Sequence, residues 1–187
     1  MSAKLAAVRD FIHRLADYGV IAVCVGGAAR DTFLGREPKD FDLVILSQHK
    51  YDPLLEWIKA CSEYGVRELG SDAESYQADE RELAHVYETG VTYDTSTEKP
   101  LVAQVQILVY SDDVTGCWKG NPEDAVEEHD CDLNKAWFEQ RNGKLVPRVH
   151  YSFPSPYTGN VNTFRSGTSA DRISYIKAKF PEFNHTV

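Results

Sequence analysis

The period of the apolar positions changes several times along the chain, and each change marks an element. Leu5, Val8, Phe11, Ile12 and Leu15 recur every three or four residues. That spacing predicts an amphipathic helix over residues 3–18, with Gly19 as its C-terminal cap. Val20–Val25 is short, continuous and rich in β-branched residues, the pattern of a buried strand, and Gly26-Gly27 ends it. Helix formers over Ala28–Leu34 predict a short helix closed by Gly35, and Phe41–Leu46 reads as a second strand. Pro53 is a helix-start residue, and Leu54, Leu55, Ile58 and Cys61 form the apolar face of a helix that stops at Gly65. The polar stretch 66–100 reads as a loop over Ser71–Asp79 and a strand over Ala84–Tyr93. Val102–Tyr110 is a strand, Pro122–Glu128 a short helix, and Leu133–Phe138 an ordered element of either type. Residues 151–163, with Pro154, Pro156 and Gly159, read as a loop before a last helix over Asp171–Lys179. The sequence therefore predicts an α/β (α+β) fold in which strands and helices are interspersed.

Composition narrows the class. At 187 residues, 42% apolar and 26% charged, the chain has the make-up of a globular domain with a real core. Its longest apolar runs fall far short of a membrane span, and Met1–Arg9 lacks the apolar stretch of a signal peptide. Cys24, Cys61, Cys117 and Cys131 show no metal-site spacing and read as reduced thiols. These features predict a cytoplasmic protein. The net charge of −9 argues against a general nucleic-acid binder, but it is uneven. Residues 144–187 hold six cations against two anions, a net +4, which leaves −13 for residues 1–143. Seven aromatics, from Tyr151 to Phe183, share that basic segment. The division predicts a body over 1–143 and a basic, aromatic extension over 144–187. The extension either meets a polyanion or pairs with the acidic body, and the two readings carry equal weight.

The chemistry sits in Val25–Val44. A buried strand that runs through Gly26-Gly27 into a helix offers bare backbone and free N–H groups, which is an anion cradle. Arg30, in the first turn, adds a fork of donors for phosphate, and Asp31 can orient it. On the following strand, Asp40 and Asp42 stand two residues apart, so both carboxylates share one face while Phe41 points into the core. Paired carboxylates repel unless a cation lies between them, and Mg²⁺ would also bridge to triphosphate oxygens. A glycine turn or an Asp-x-Asp alone is an ordinary turn or a solvated strand end. Together, in this order, they point to metal-assisted nucleotidyl transfer. The glycine spacing matches neither a Walker loop nor a dinucleotide-binding fingerprint. Arg36 and Lys39 flank the site, His13, His49 and His185 read as solvated, and Trp57, Trp118 and Trp137 read as core.

Gly26-Gly27, Arg30-Asp31, Leu34-Gly35 and Asp40-x-Asp42 resemble the signature of the DNA-polymerase-β-type nucleotidyltransferases, most of all the head domain of class II tRNA nucleotidyltransferases (CCA-adding enzymes) and bacterial poly(A) polymerases. His129–Ala136 is similar to the Arg-Asp-Phe-Thr-Ile-Asn-Ala segment of those enzymes, with His129 in place of the arginine. The resemblance covers roughly residues 20–140. It implies a polymerase-β-like fold, a small mixed, mostly antiparallel sheet flanked by helices, and Mg²⁺, two ions by analogy, held by Asp40 and Asp42 as the catalytic carboxylates. It implies an NTP, such as ATP, whose triphosphate lies on Gly26, Gly27 and Arg30, with Asp130 and Asn134 near the ribose. Ala170–Lys177 echoes the family's base-reading helix, which adds Arg172 to the nucleotide-binding candidates.

Two departures stand out. The superfamily takes a third carboxylate from a later central strand, and here that strand reads Val105-Gln106-Ile107, with an amide where the acid is expected. Residues 144–187 are also too few for the family's long helical tRNA-binding domains. The implied function is transfer of a nucleoside monophosphate from an NTP to an acceptor hydroxyl, with a tRNA-like RNA 3′ end as the favoured acceptor. It is the activity of a small stand-alone member, of the kind known from bacteriophages. Nucleotidylation of a protein or small molecule, as in toxin and defence systems, is a second reading. A degenerate nucleotide- or partner-binding module, suggested by Gln106, is a third.

Overall fold

Ser2 caps the first helix by accepting the N–H of Leu5, and α1 runs over Ala3–Asp17 with Leu5, Val8, Phe11, Ile12 and Leu15 buried. It ends in a Schellman turn, Gly19 N to Ala16 O and Val20 N to Leu15 O, with Gly19 at φ +78°. The computed structural model of the protein describes residues 2–47, 54–69, 83–96, 99–110, 121–127, 129–155 and 160–187. The other elements are β1 (Ile21–Val25), α2 (Gly27–Phe33), β2 (Asp40–Ser47), α3 (Leu54–Cys61), β3 (Arg67–Glu68), β4 (Leu83–Asp94), β5 (Leu101–Tyr110), α4 (Pro122–Glu127), a 3₁₀ turn (Asp132–Asn134), β6 (Ala136–Arg141), β7 (Lys144–Val149), β8 (Asn162–Thr163), α5 (Ala170–Lys179) and β9 (His185–Thr186). The loop expected over Ser71–Asp79, with His49, Pro53, Cys117 and Trp118, lies outside the described residues.

Seven strands form one mixed sheet in the order β3-β4-β5-β2-β1-β6-β7. The β2–β5 pair is parallel and the others are antiparallel. One face carries Cys24, Phe41, Leu43, Ile45, Val105 and Ile107 and is covered by α1 and α3. On the opposite face Val23, Val25, Val44, Leu46 and Leu108 are covered by Ala125 and Val126 of α4. A third cluster lies under the C-terminal segment, where Phe153, Phe164, Ile176, Phe180 and Phe183 pack on Cys131 and Leu133. Cys24, Cys61 and Cys131 are free, buried thiols. Burial and the neighbouring Asp130 charge push the Cys131 thiol up to about 12. Among the described residues, no helix is long and apolar enough to cross a membrane.

The element read over Leu133–Phe138 resolves into the 3₁₀ turn and β6, and β6 pairs with β7 across Asn142-Gly143. Both turn residues have positive φ, 50° and 69°, as a two-residue hairpin of the favoured twist requires. Pro147 is tolerated because β7 is an edge strand. His185 is not solvated as its sequence context suggests. It is half-buried, with Nδ1 3.0 Å from Asn162 Nδ2 and Nε2 2.9 Å from the Phe180 carbonyl. Trp137 is in the core, as expected.

Candidate active site

The site begins where β1 turns into α2. Gly26 has φ 68° and ψ −132°, a conformation that only glycine adopts without strain. A Cβ there would also press on His129, 3.1 Å from its Cε1, and would stand in ordinary contact with Asp42 Oδ2 at 3.9 Å. A Cβ on Gly27 would lie 3.4 Å from Arg30 Nη2. The two glycines therefore keep open a small space bounded by an imidazole, a carboxylate and a guanidinium.

Strand register supplies the acidic side. Val25 pairs with Asp42, so the end of the cradle strand lies directly beside that carboxylate. Asp40 is exposed and Asp42 half-buried, on the sheet face that carries Val44 and Leu46 further along β2, while Phe41 is fully buried on the other. The parallel β5 places Gln104 opposite Asp40 and Gln106 opposite Asp42. One strand further, Glu88 of β4 pairs with Gln106. Its carboxylate accepts from Gln104 Nε2 at 2.6 Å and from Arg67 Nη2 at 2.6 Å. Burial works to raise the Glu88 carboxyl, but the hydrogen bonds from Gln104, Arg67 and Gln106 outweigh it and hold the group below its ordinary value. A polar row, Asp42–Gln106–Glu88, thus crosses three strands. Among the described residues no three carboxylate, imidazole or thiol groups converge as a metal cluster. Asp40 and Asp42, two hard-oxygen donors on one strand face beside the glycine turn, could hold a Mg²⁺ ion.

A second set of side chains comes from distant parts of the chain. Arg30, with its side chain only 5% exposed, donates Nε to Asp31 Oδ1 at 2.7 Å and Nη1 to Asn134 Oδ1. Asn134 Nδ2 donates to Asp130 Oδ1 at 2.5 Å, and Arg172 Nε donates to Asp130 Oδ2 at 2.5 Å. Lys179 Nζ closes the chain on Asp31 Oδ2 at 3.1 Å. Arg172 and Lys179 are seven residues apart on α5, so one face of that helix grips both ends of the network. The buried Phe180 ring lies 4.5 Å from the Arg30 guanidinium carbon and 4.7 Å from that of Arg36. Burial works to raise the Asp130 carboxyl, but the Arg172 charge and the hydrogen bonds from Arg172 and Asn134 win and hold it below its ordinary value.

All eight residues singled out in the sequence lie in this region. Gly26 lies beside Asp42 at the end of the β1–β2 register, Asp40 stands two residues along the same strand, Gly27 lies beside Arg30, and Arg30, Asp130, Asn134 and Arg172 form one hydrogen-bonded chain. The tail cations Arg172 and Lys179 pair with acids of the body, so this part of the basic segment does neutralise it. Glu88 is the residue that sequence reading missed, visible only once β4 is registered on β5. Lys179, one of the six cations of the basic segment, takes the ion-pair side of that segment's two readings through Asp31.

No family model matches the sequence, and no curated protein matches it. Solved structures do match the fold. A tRNA-processing enzyme in an apo form is similar over 95% of this chain, with 14% identity and a TM-score of 0.56. The Thermotoga maritima CCA-adding enzyme complexed with tRNA matches 96% of it, with 13% identity and a TM-score of 0.54. The Bacillus stearothermophilus CCA-adding enzyme in complex with CTP matches 100% of it, with 15% identity and a TM-score of 0.52. This chain spans 42%, 38% and 42% of their respective lengths. The protein therefore has the nucleotidyltransferase fold seen in the matched portion of the CCA-adding enzymes.

Proposed function

We propose that the protein transfers a nucleoside monophosphate from an NTP to an acceptor hydroxyl, releasing pyrophosphate. The observation that carries this reading is the contact between cradle and carboxylate: a Cβ at Gly26 would stand 3.9 Å from Asp42 Oδ2. A triphosphate lying on the Gly26-Gly27 backbone is thereby brought to the Asp40/Asp42 face. Mg²⁺ held there would lower the pKa of the attacking hydroxyl and neutralise charge on the departing pyrophosphate. The chain's own residues do the positioning. Asp40 and Asp42 would hold the metal from one face of β2, and the Gly26-Gly27 backbone with Arg30 Nη2 would receive phosphate oxygens. Asn134 and Asp130 form the polar wall for the sugar. Gln106 adds an amide dipole beside Asp42 and, with Glu88, supports the row without acting as a metal ligand. A tRNA-like RNA 3′ end is the favoured acceptor, by analogy with the matched enzymes.

Gln106 in the place of an acid favours a second reading, a module that binds NTP without transferring it. α-Labelled NTPs with Mg²⁺ and a panel of RNA 3′ ends and proteins separate the two. Label moving to RNA in the wild type, and not in Asp40→Asn/Asp42→Asn, is the expected result. Label moving to protein alone overturns the RNA acceptor. Bound NTP with no transfer to either acceptor overturns the transferase reading in favour of the binding module.

A further inference from the structure

Arg30 offers five N–H donors in a rigid fork, and the fold divides them unequally. Nε goes to Asp31 Oδ1 at 2.7 Å and Nη1 to Asn134 Oδ1. Nη2 has no protein partner among the described residues and faces Gly27, 3.4 Å from the point where a Cβ would stand. The one free arm of a buried guanidinium is thus turned to the bare backbone of the cradle.

A guanidinium and a neighbouring carboxylate usually close a two-bond fork, which would consume a second arm of Arg30. Asp31 does not close it: Oδ1 accepts from Arg30, and Oδ2 accepts from another cation. Lys179 Nζ donates to Oδ2 at 3.1 Å from the last turn of α5, 148 positions away in sequence. Lys179 is itself fixed by its surroundings. Its ammonium lies 5.3 Å from the centre of the Phe180 ring, and that fully buried ring also lies against Arg30.

We propose that Lys179 is a positioning residue. By drawing Asp31 Oδ2 toward its ammonium it turns that oxygen away from the guanidinium and keeps the Arg30–Asp31 contact single, so that Nη2 stays available to a phosphate of the bound nucleotide. The inference rests on the nucleotide-transfer reading above. α5 then acts on the site through Asp31 and Arg30 without touching the ligand. Methionine at position 179 keeps the aliphatic stem beside Phe180 and removes the charge, and arginine restores a donor to Oδ2.

The test is calorimetric titration of the full chain with Mg²⁺ and α,β-methylene-ATP, with melting temperatures and the side-chain NMR signal of Arg30 Nε–H read alongside. Lys179→Met is expected to raise Kd by about tenfold, the effect of one charge-assisted hydrogen bond. Its melting temperature should stay within about 3 °C of the wild type. The Arg30 Nε–H signal should move in Lys179→Met, and Lys179→Arg should return both signal and affinity toward the wild type. Unchanged Kd and an unmoved Arg30 signal in Lys179→Met would overturn the inference, as would a loss of affinity that Lys179→Arg does not recover. A wild-type chain with no affinity for the analogue overturns the nucleotide reading and this inference with it. Tight wild-type binding with an unaffected Lys179→Met overturns this inference alone.

Discussion

Asp40 and Asp42 take their positions from backbone register, whereas Arg30, Asn134 and Asp130 take theirs from other side chains. The carboxylates sit on a strand whose neighbours β1 and β5 are hydrogen-bonded along both edges, and the residue between them, Phe41, is locked in the core. The strand alone fixes their direction. The clamp half depends on a relay, Lys179–Asp31–Arg30–Asn134–Asp130–Arg172, that joins three segments far apart in sequence and rests on Phe180. The two halves should therefore fail differently. Damage to the sheet half should remove chemistry and spare the fold. Damage to the buried packing of the clamp half, at Phe180, should cost stability and nucleotide affinity together.

The largest effect is expected in the sheet half. Asp40→Asn/Asp42→Asn should lower transfer by about 10³-fold, since preorganised charge at the reacting centre is worth that much. That loss equals about 4 kcal/mol of transition-state stabilisation. Circular-dichroism melting should place the variant at or above the wild-type temperature, because two like charges on one strand face are removed. A matched loss of melting temperature would erase the distinction between the halves.

Phe180→Ala attacks the clamp. The ring is fully buried among Phe183, Ile176 and the cations of Arg30 and Arg36, so its loss should cost about 3–5 kcal/mol in denaturant unfolding. NTP affinity should fall as well, while the sheet half, probed by hydrogen exchange of β2 and β5 amides, stays protected under native conditions. Exchange that spreads evenly through both halves would show that they are one cooperative unit.

Gly26→Ala sits at the seam. A side chain at φ 68° with His129 Cε1 3.1 Å away should cost about 1–3 kcal/mol in the same assay. Unaltered stability would mean that the turn relaxes and that the open space is not built into the backbone.

The smallest effect is a pH dependence of the clamp. Asp130 has its carboxyl held below the ordinary value of 3.8. A depressed acid stabilises the folded state above its unfolded value, and that contribution disappears as pH falls through the folded value, hence below about pH 4. The wild type should therefore lose more melting temperature than Asp130→Asn between pH 5 and pH 3, modestly because Arg172 is partly exposed. Equal losses would remove Asp130 as a clamp of the tail.

The same contrast explains what the sequence made legible. The sheet half rests on local rules: two glycines after an apolar strand, two acids at i and i+2 about a core phenylalanine. Those rules name Gly26, Gly27, Asp40 and Asp42 without a structure. The helices α1, α2, α3 and α5 are likewise local, each with an apolar stripe or a capping residue. The clamp half is not local. Arg30 looks like a phosphate fork in sequence, yet its Nε and Nη1 are spent on Asp31 and Asn134, and nothing local ties the tail cation Lys179 to Asp31. The β6–β7 hairpin was readable only from Asn142-Gly143, because Pro147 and four charged residues in the two strands hide the alternation. Glu88 depends on a β4–β5 register that no motif announces.

The proposed function requires that the Asp40/Asp42 face and the glycine cradle bind one metal–triphosphate ligand. Titration calorimetry of an NTP with and without Mg²⁺, on the wild type and on Asp40→Asn/Asp42→Asn, tests it most directly. The claim predicts that Mg²⁺ tightens wild-type binding by about tenfold or more and leaves the double variant unmoved. Wild-type affinity that ignores Mg²⁺, or a double variant that keeps the full Mg²⁺ effect, would contradict it.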